Sequence, residues 1–97
     1  MKRTCAFLLV LVFFGFSLSG CYYYAAKNQM NTADRLLSDL KGKGGERLVP
    51  YEYCSAEKFL ELSRMEFDEH DYKQSKKFAD RAALAAQTGL AEMNRQK

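Results

Sequence analysis

Cys21 is the residue best placed to do chemistry, because Leu18, Ser19 and Gly20 stand directly before it at the end of an apolar run that begins at Ala6. A thiolate is the nucleophile that a thioether linkage requires, and small neighbours let the backbone enter a narrow cleft at a membrane surface. Lys2 and Arg3 precede the run. A positive start, a short apolar segment over residues 6–16 and small residues at its end describe a secretion leader, one whose cleavage leaves Cys21 first. The alternatives are a permanent anchor or a buried core helix, but residues 6–18 fall short of the roughly 20 that a spanning helix needs.

This stretch resembles the lipobox of bacterial lipoproteins, with Leu18 in the apolar position, Ser19 and Gly20 in the small positions and Cys21 as the invariant cysteine. The resemblance implies that residues 1–20 are removed as a signal peptide and that the Cys21 thiol carries a diacylglyceryl group. In many bacteria the freed amine is acylated too. Tyr22, and not Asp, takes the second position of the processed chain, which by the same resemblance directs sorting to the outer membrane. Membrane lipid is therefore the first expected partner, and beyond the covalent lipid no cofactor is expected.

Other constellations point to ordinary surface chemistry. His70 lies among Asp68, Glu69 and Asp71, but one ring nitrogen without a second nitrogen or sulfur ligand is a weak metal site, and carboxylates crowd helix termini for electrostatic reasons. Glu52, Glu57, Glu61 and Glu66 interleave with Lys58 and Arg64, which favours a solvated charged face over paired catalytic acids. The glycines at 42, 44 and 45 lack the preceding strand and fingerprint of a phosphate loop. There is no second histidine and no serine in a nucleophile elbow, so no enzyme is expected. Of the 15 Lys and Arg set against 12 Asp and Glu, Lys2 and Arg3 belong to the leader. The remainder is close to neutral, which argues against a nucleic-acid partner. Cys5 leaves with the leader and Cys21 is lipidated; Cys54 is then expected as a small buried hydrophobe rather than as an intermolecular disulfide.

The elements that must position these residues are helices. Tyr22, Tyr23 and Tyr24 either seat the chain at the membrane boundary or pack on the domain. Ala26, Met30, Ala33, Leu37 and Leu40 recur at spacings of four and three, predicting an amphipathic helix over about 24–41. The glycines after it supply a stop and the one flexible linker. Pro50 suits the first turn of a second helix over about 50–67, whose apolar face is Ala56, Phe59, Leu60, Ser63 and Phe67. Leu62 and Met65 lie off that face, which suggests a helix sitting between two others. Asp71 with Gln74 forms a capping box that opens a third helix over about 72–88, lined by Ser75, Ala79, Ala82 and Ala86. Gly89 ends or loosens it before a polar tail over 94–97.

The segments Val49-Pro50-Tyr51-Glu52-Tyr53, Ala56-Glu57-Lys58-Phe59-Leu60, Asp71-Tyr72-Lys73-Gln74-Ser75 and the alanine-rich stretch 78–86 resemble a bacterial family of small envelope lipoproteins with a domain of unknown function. Its helical hairpin is similar to a single tetratricopeptide repeat, with Phe59 and Leu62 early in the first helix, Tyr72 in the turn, and Ser75, Ala79 and Ala82 along the second. The likeness covers most of residues 25–93. It implies an all-α fold: a signal peptide, a lipidated N-terminus at 21–24 and a small three-helix bundle with a tetratricopeptide-like hairpin.

The expected function is that of a non-catalytic outer-membrane lipoprotein, facing the periplasm and docking or organising another envelope protein. Tyr53, Leu62, Met65 and Tyr72 are the candidate interaction face. A pilotin-like chaperone holding a client helix is one alternative. Another is covalent attachment to peptidoglycan through Lys97, although the long uninterrupted heptads of the major outer-membrane lipoprotein are missing.

Overall fold

Residues 3–12 form the N-terminal part of a helix, and the large apolar side chains of 7–12 all point into solvent, from Leu9 at 70% exposed to Leu11 at 54%. In the computed structural model, which describes the backbone of residues 2–96 and the side chains of 3–12 and 21–96, this helix runs on unbroken as α1, Lys2–Gly42. The side chains of Leu18, Ser19 and Gly20, and Lys97 altogether, lie outside the described residues. The helix was expected to begin near Tyr24. It extends back to Lys2 because no proline interrupts the segment, and an isolated glycine inside a helix costs only about 1 kcal/mol. No helix of the described residues is long and apolar enough to cross a membrane.

After α1 come α2 (Gly45–Leu48), α3 (Pro50–Asp68) and α4 (Tyr72–Arg95), so the fold is all-α. The expected linker is itself structured. Gly44 adopts φ 84°, the left-handed conformation that lets the chain leave α1 and start a new turn at once. Gly45 is buried against Leu40, and a Cβ there would lie 2.7 Å from the Leu40 carbonyl oxygen. Glycine at 45 is thus required for close approach, whereas Gly44 supplies the backbone conformation.

Local signals set the ends of the hairpin. Pro50 occupies the first turn of α3, as its absent N–H allows. At the other end, the Asp71 amide donates to the Glu66 carbonyl at 2.9 Å and the His70 amide to the Phe67 carbonyl at 3.0 Å. This pair of bonds is a Schellman closure, with His70 at φ 65° in the position that glycine usually fills. The Asp71 carboxylate then accepts from the Gln74 amide at 3.2 Å and caps α4.

α4 is the central helix. It packs extensively on both α1 and α3, while α1 and α3 touch less. The expectation that the second bundle helix is flanked on both sides is therefore corrected, and the reason is side-chain size. Ala79, Ala82, Ala83 and Ala86 on α4 are all 4% exposed or less, and such small residues let two neighbours approach one helix. α1 contributes Ala26, Ala33 and Leu40 to the core, and α3 contributes Ala56 and Leu60. α4 also continues past residue 88. Gly89 is buried inside it with Leu40 against its Cα, and Met93 beyond it is core. Glycine here admits a neighbouring side chain and does not end the helix.

Candidate functional site

The inner seam of the α3–α4 hairpin is closed by two serines. Ser63 and Ser75 are 0% exposed. The Ser63 hydroxyl donates to the Ser75 carbonyl at 2.7 Å and the Ser75 hydroxyl to the Ser63 carbonyl at 2.8 Å, with the two Oγ atoms 3.1 Å apart. Each hydroxyl spends its one proton on the partner helix's backbone, so the polar groups are satisfied and the helices are held at short range. Among the described residues no buried side-chain polar atom lacks a partner. The seam is structural, with no hydroxyl left free for chemistry.

The outer face of the same hairpin, which α1 does not cover, is different. A groove of about 290 Å³ runs between α3 and α4, lined by Tyr51, Ser55, Phe59, Arg81, Leu84 and Thr88 among others. Tyr51 and Leu84 are 79% and 64% exposed. The Phe59 and Phe78 rings stack with centroids 6.3 Å apart, and the Arg81 guanidinium lies 5.9 Å from each. Two ring faces hold this cation by their quadrupoles, an interaction worth about 0.5–1 kcal/mol at an exposed site. The guanidinium edges remain available to a carboxylate. Glu52 lines the groove as well, so Tyr51, Phe59 and Leu84 stand between a carboxylate and a guanidinium, a mixture that suits an amphipathic helix carrying charge on its flanks.

The four residues expected to form an interaction face are not brought together. Leu62 and Met65 are exposed on α3, at 38% and 53%. Tyr53, by contrast, is buried at 7%, within a cluster of Leu40, Val49 and Met93. Burial and the carboxylates of Glu57 and Glu46 push its hydroxyl above the ordinary value. Tyr72 is half-buried in an aromatic cluster, with its ring centroid 5.1 Å from both Tyr23 and Phe67. Its hydroxyl meets His70 Nδ1 at 2.9 Å. Cys54, expected in the core, is exposed. Both departures have one cause: the buried stripe of α3 is Tyr53, Ala56, Leu60 and Ser63, and residue 54 is turned about 100° from residue 53 on a helix.

Cys21 is exposed, two residues before Tyr23 of the aromatic cluster. Of the three tyrosines after it, Tyr23 packs on Phe67 and Tyr72, while Tyr22 and Tyr24 remain 39% and 67% exposed. The Tyr23 contact belongs to the domain, and Tyr24 meets the Tyr23 ring edge-on at 5.4 Å while keeping most of its own surface in solvent. Among the described residues no group of three or more His, Cys, Asp or Glu side chains is placed to hold a metal.

The residues that line the outer groove were missed by sequence reasoning, except for Phe59. Leu84 was the available signal, as a large apolar residue off the Ser75, Ala79, Ala82, Ala86 stripe of α4. Comparison with protein-family models, with curated proteins and with solved structures finds no match.

Proposed function

We propose that this chain is a non-catalytic, lipid-anchored protein of the bacterial envelope. Cys21 carries the lipid, and the bundle docks another envelope protein at the outer membrane from the periplasmic side. The observation that supports this reading most is the uncovered α3–α4 groove, where Tyr51 and Leu84 remain exposed beside an oriented Arg81. Burial of each acyl methylene contributes about 0.8 kcal/mol, so two chains hold the domain at the membrane and raise its concentration near partners. The hairpin, in its tetratricopeptide-like form, would use the groove to take one helix of the partner.

A pilotin-like chaperone is the second reading, favoured by the same groove, since a client's amphipathic helix with an acidic residue would satisfy Arg81. The experiment is cross-linking in intact envelopes with wild type, Cys21→Ala and Leu84→Lys side by side. The adaptor reading expects one protein captured by wild type, depleted with Cys21→Ala and lost with Leu84→Lys. Capture unchanged by Leu84→Lys rules out the groove. Loss of capture on adding a secretin-type client peptide selects the chaperone.

A further inference from the structure

We propose that the end of the bundle formed by Tyr22, Tyr24 and the α3–α4 turn is itself a lipid-facing surface, seated in the headgroup layer, so that the bundle stands end-on at the bilayer. The proposal rests on lipidation of Cys21 and goes further, because a lipid on one residue leaves the orientation of the domain open. Two observations carry it.

First, there is no slack between the anchor position and the domain. α1 passes through residue 21 without a break, and Ala26 is already 0% exposed. Second, the turn is fastened to the start of this helix. Tyr23 packs on Phe67 with centroids 5.2 Å apart and meets Tyr72 edge-on at 5.1 Å, so residues 67–73 lie beside residues 21–24 at one end of the bundle.

The composition of that end names its partner. Tyr22, His70, Asp71, Tyr72 and Lys73 line a shallow recess of about 230 Å³. Tyrosine rings favour the boundary between acyl chains and water. His70, Asp71 and Lys73 line this recess, Asp68 and Glu69 lie exposed in the same turn, and the Lys27 ammonium stands 5.8 Å from the Tyr23 ring, a mixture of signs that suits a zwitterionic headgroup, ammonium against carboxylate and phosphate against lysine. An anionic surface would repel the three acids. The opposite end, with α2 and Leu48, would then stand about 30 Å from the lipid, the length of the helix from residue 21 to 42.

The chain contains no tryptophan, so single reporters can be placed cleanly. Acylated full-length protein carrying Tyr72→Trp, Glu69→Trp or Leu48→Trp is reconstituted into vesicles of phosphatidylethanolamine and phosphatidylcholine with brominated acyl chains. Glu69 is exposed, so its variant reports even if Tyr72→Trp disturbs the cluster. End-on seating expects emission at 69 and 72 to shift to the blue and lose much of its intensity, with emission at 48 unchanged. An acylated, vesicle-bound chain whose reporters at 69 and 72 are unquenched overturns the seating and leaves the anchor intact. Equal quenching at 48 and 72 means that the bundle lies flat, and overturns it too. A chain with no acyl mass on Cys21 removes the anchor and the seating together.

Discussion

The two faces of the α3–α4 hairpin are built from the same helices and solve opposite problems. On the inner face small residues meet, every hydroxyl is paired, and α1 covers the seam. On the outer face large residues flank a groove, Arg81 lies over two rings, and Tyr51 and Leu84 remain in solvent. Among the described helices α1 is the long one left to cover the hairpin, and it lies on the side of the small residues. The difference teaches that small side chains, because they allow close packing, decide which face of the hairpin is core.

The contrast can be broken most forcefully at the seam. Ser63→Leu inserts a branched side chain where there is no space and should cost about 3 kcal/mol, the upper range for overpacking, seen as a large drop in the thermal midpoint by circular dichroism. Ser63→Ala and Ser75→Ala should each cost about 1 kcal/mol, since each removes one hydrogen bond without stranding a donor. The double variant should cost less than the sum, because removing both partners leaves two apolar groups in contact; a denaturant double-mutant cycle measures the coupling. Additive costs would mean that the two hydroxyls act independently.

Tyr53 sharpens the same contrast through pH. Its folded-state value is raised, so the folded chain favours the neutral phenol. Its contribution is whole below the ordinary value near 10 and declines as pH rises through the folded value. Alkaline titration should therefore unfold the wild type earlier than Tyr53→Phe, while the two behave alike at neutral pH apart from any lost hydrogen bond. The smallest effect is expected outside. Leu84→Lys and Arg81→Gln should change stability by no more than about 0.5 kcal/mol, as for exposed positions generally, and a larger loss by chemical denaturation would mean that the groove is part of the core.

Much of the fold was legible because its signals are local. Pro50 at the start of α3 and Asp71 with Gln74 at the start of α4 act through their own neighbours in sequence. The stripe from Ala26 to Leu40 needed only helical spacing. Gly89 was misread because glycine serves equally to end a helix and to admit a neighbour, and only the position of Leu40 tells which. Cys54 was judged by the usual burial of free cysteine, although the stripe through Ala56, Leu60 and Ser63, carried one turn back, reaches Tyr53 and leaves residue 54 in solvent. The outer groove was least legible, since Phe59, Phe78 and Arg81 come from two helices and meet only once the hairpin has closed.

Under the proposed lipidation of Cys21, the uninterrupted α1 bears on what cleavage would leave at the new terminus. In the uncut chain residue 21 sits mid-helix, and its amide and those just after it have carbonyls one turn earlier to bond. Cutting before Cys21 would turn that position into a helix start, with its first four amides unpaired and a new ammonium group beside the positive end of the helix dipole. Acylating the amine cancels that charge, a relief of about 0.3–1 kcal/mol. The last acyl chain would thus serve the protein as well as the membrane, by tightening the first turn of the helix that the tyrosines fasten to the hairpin.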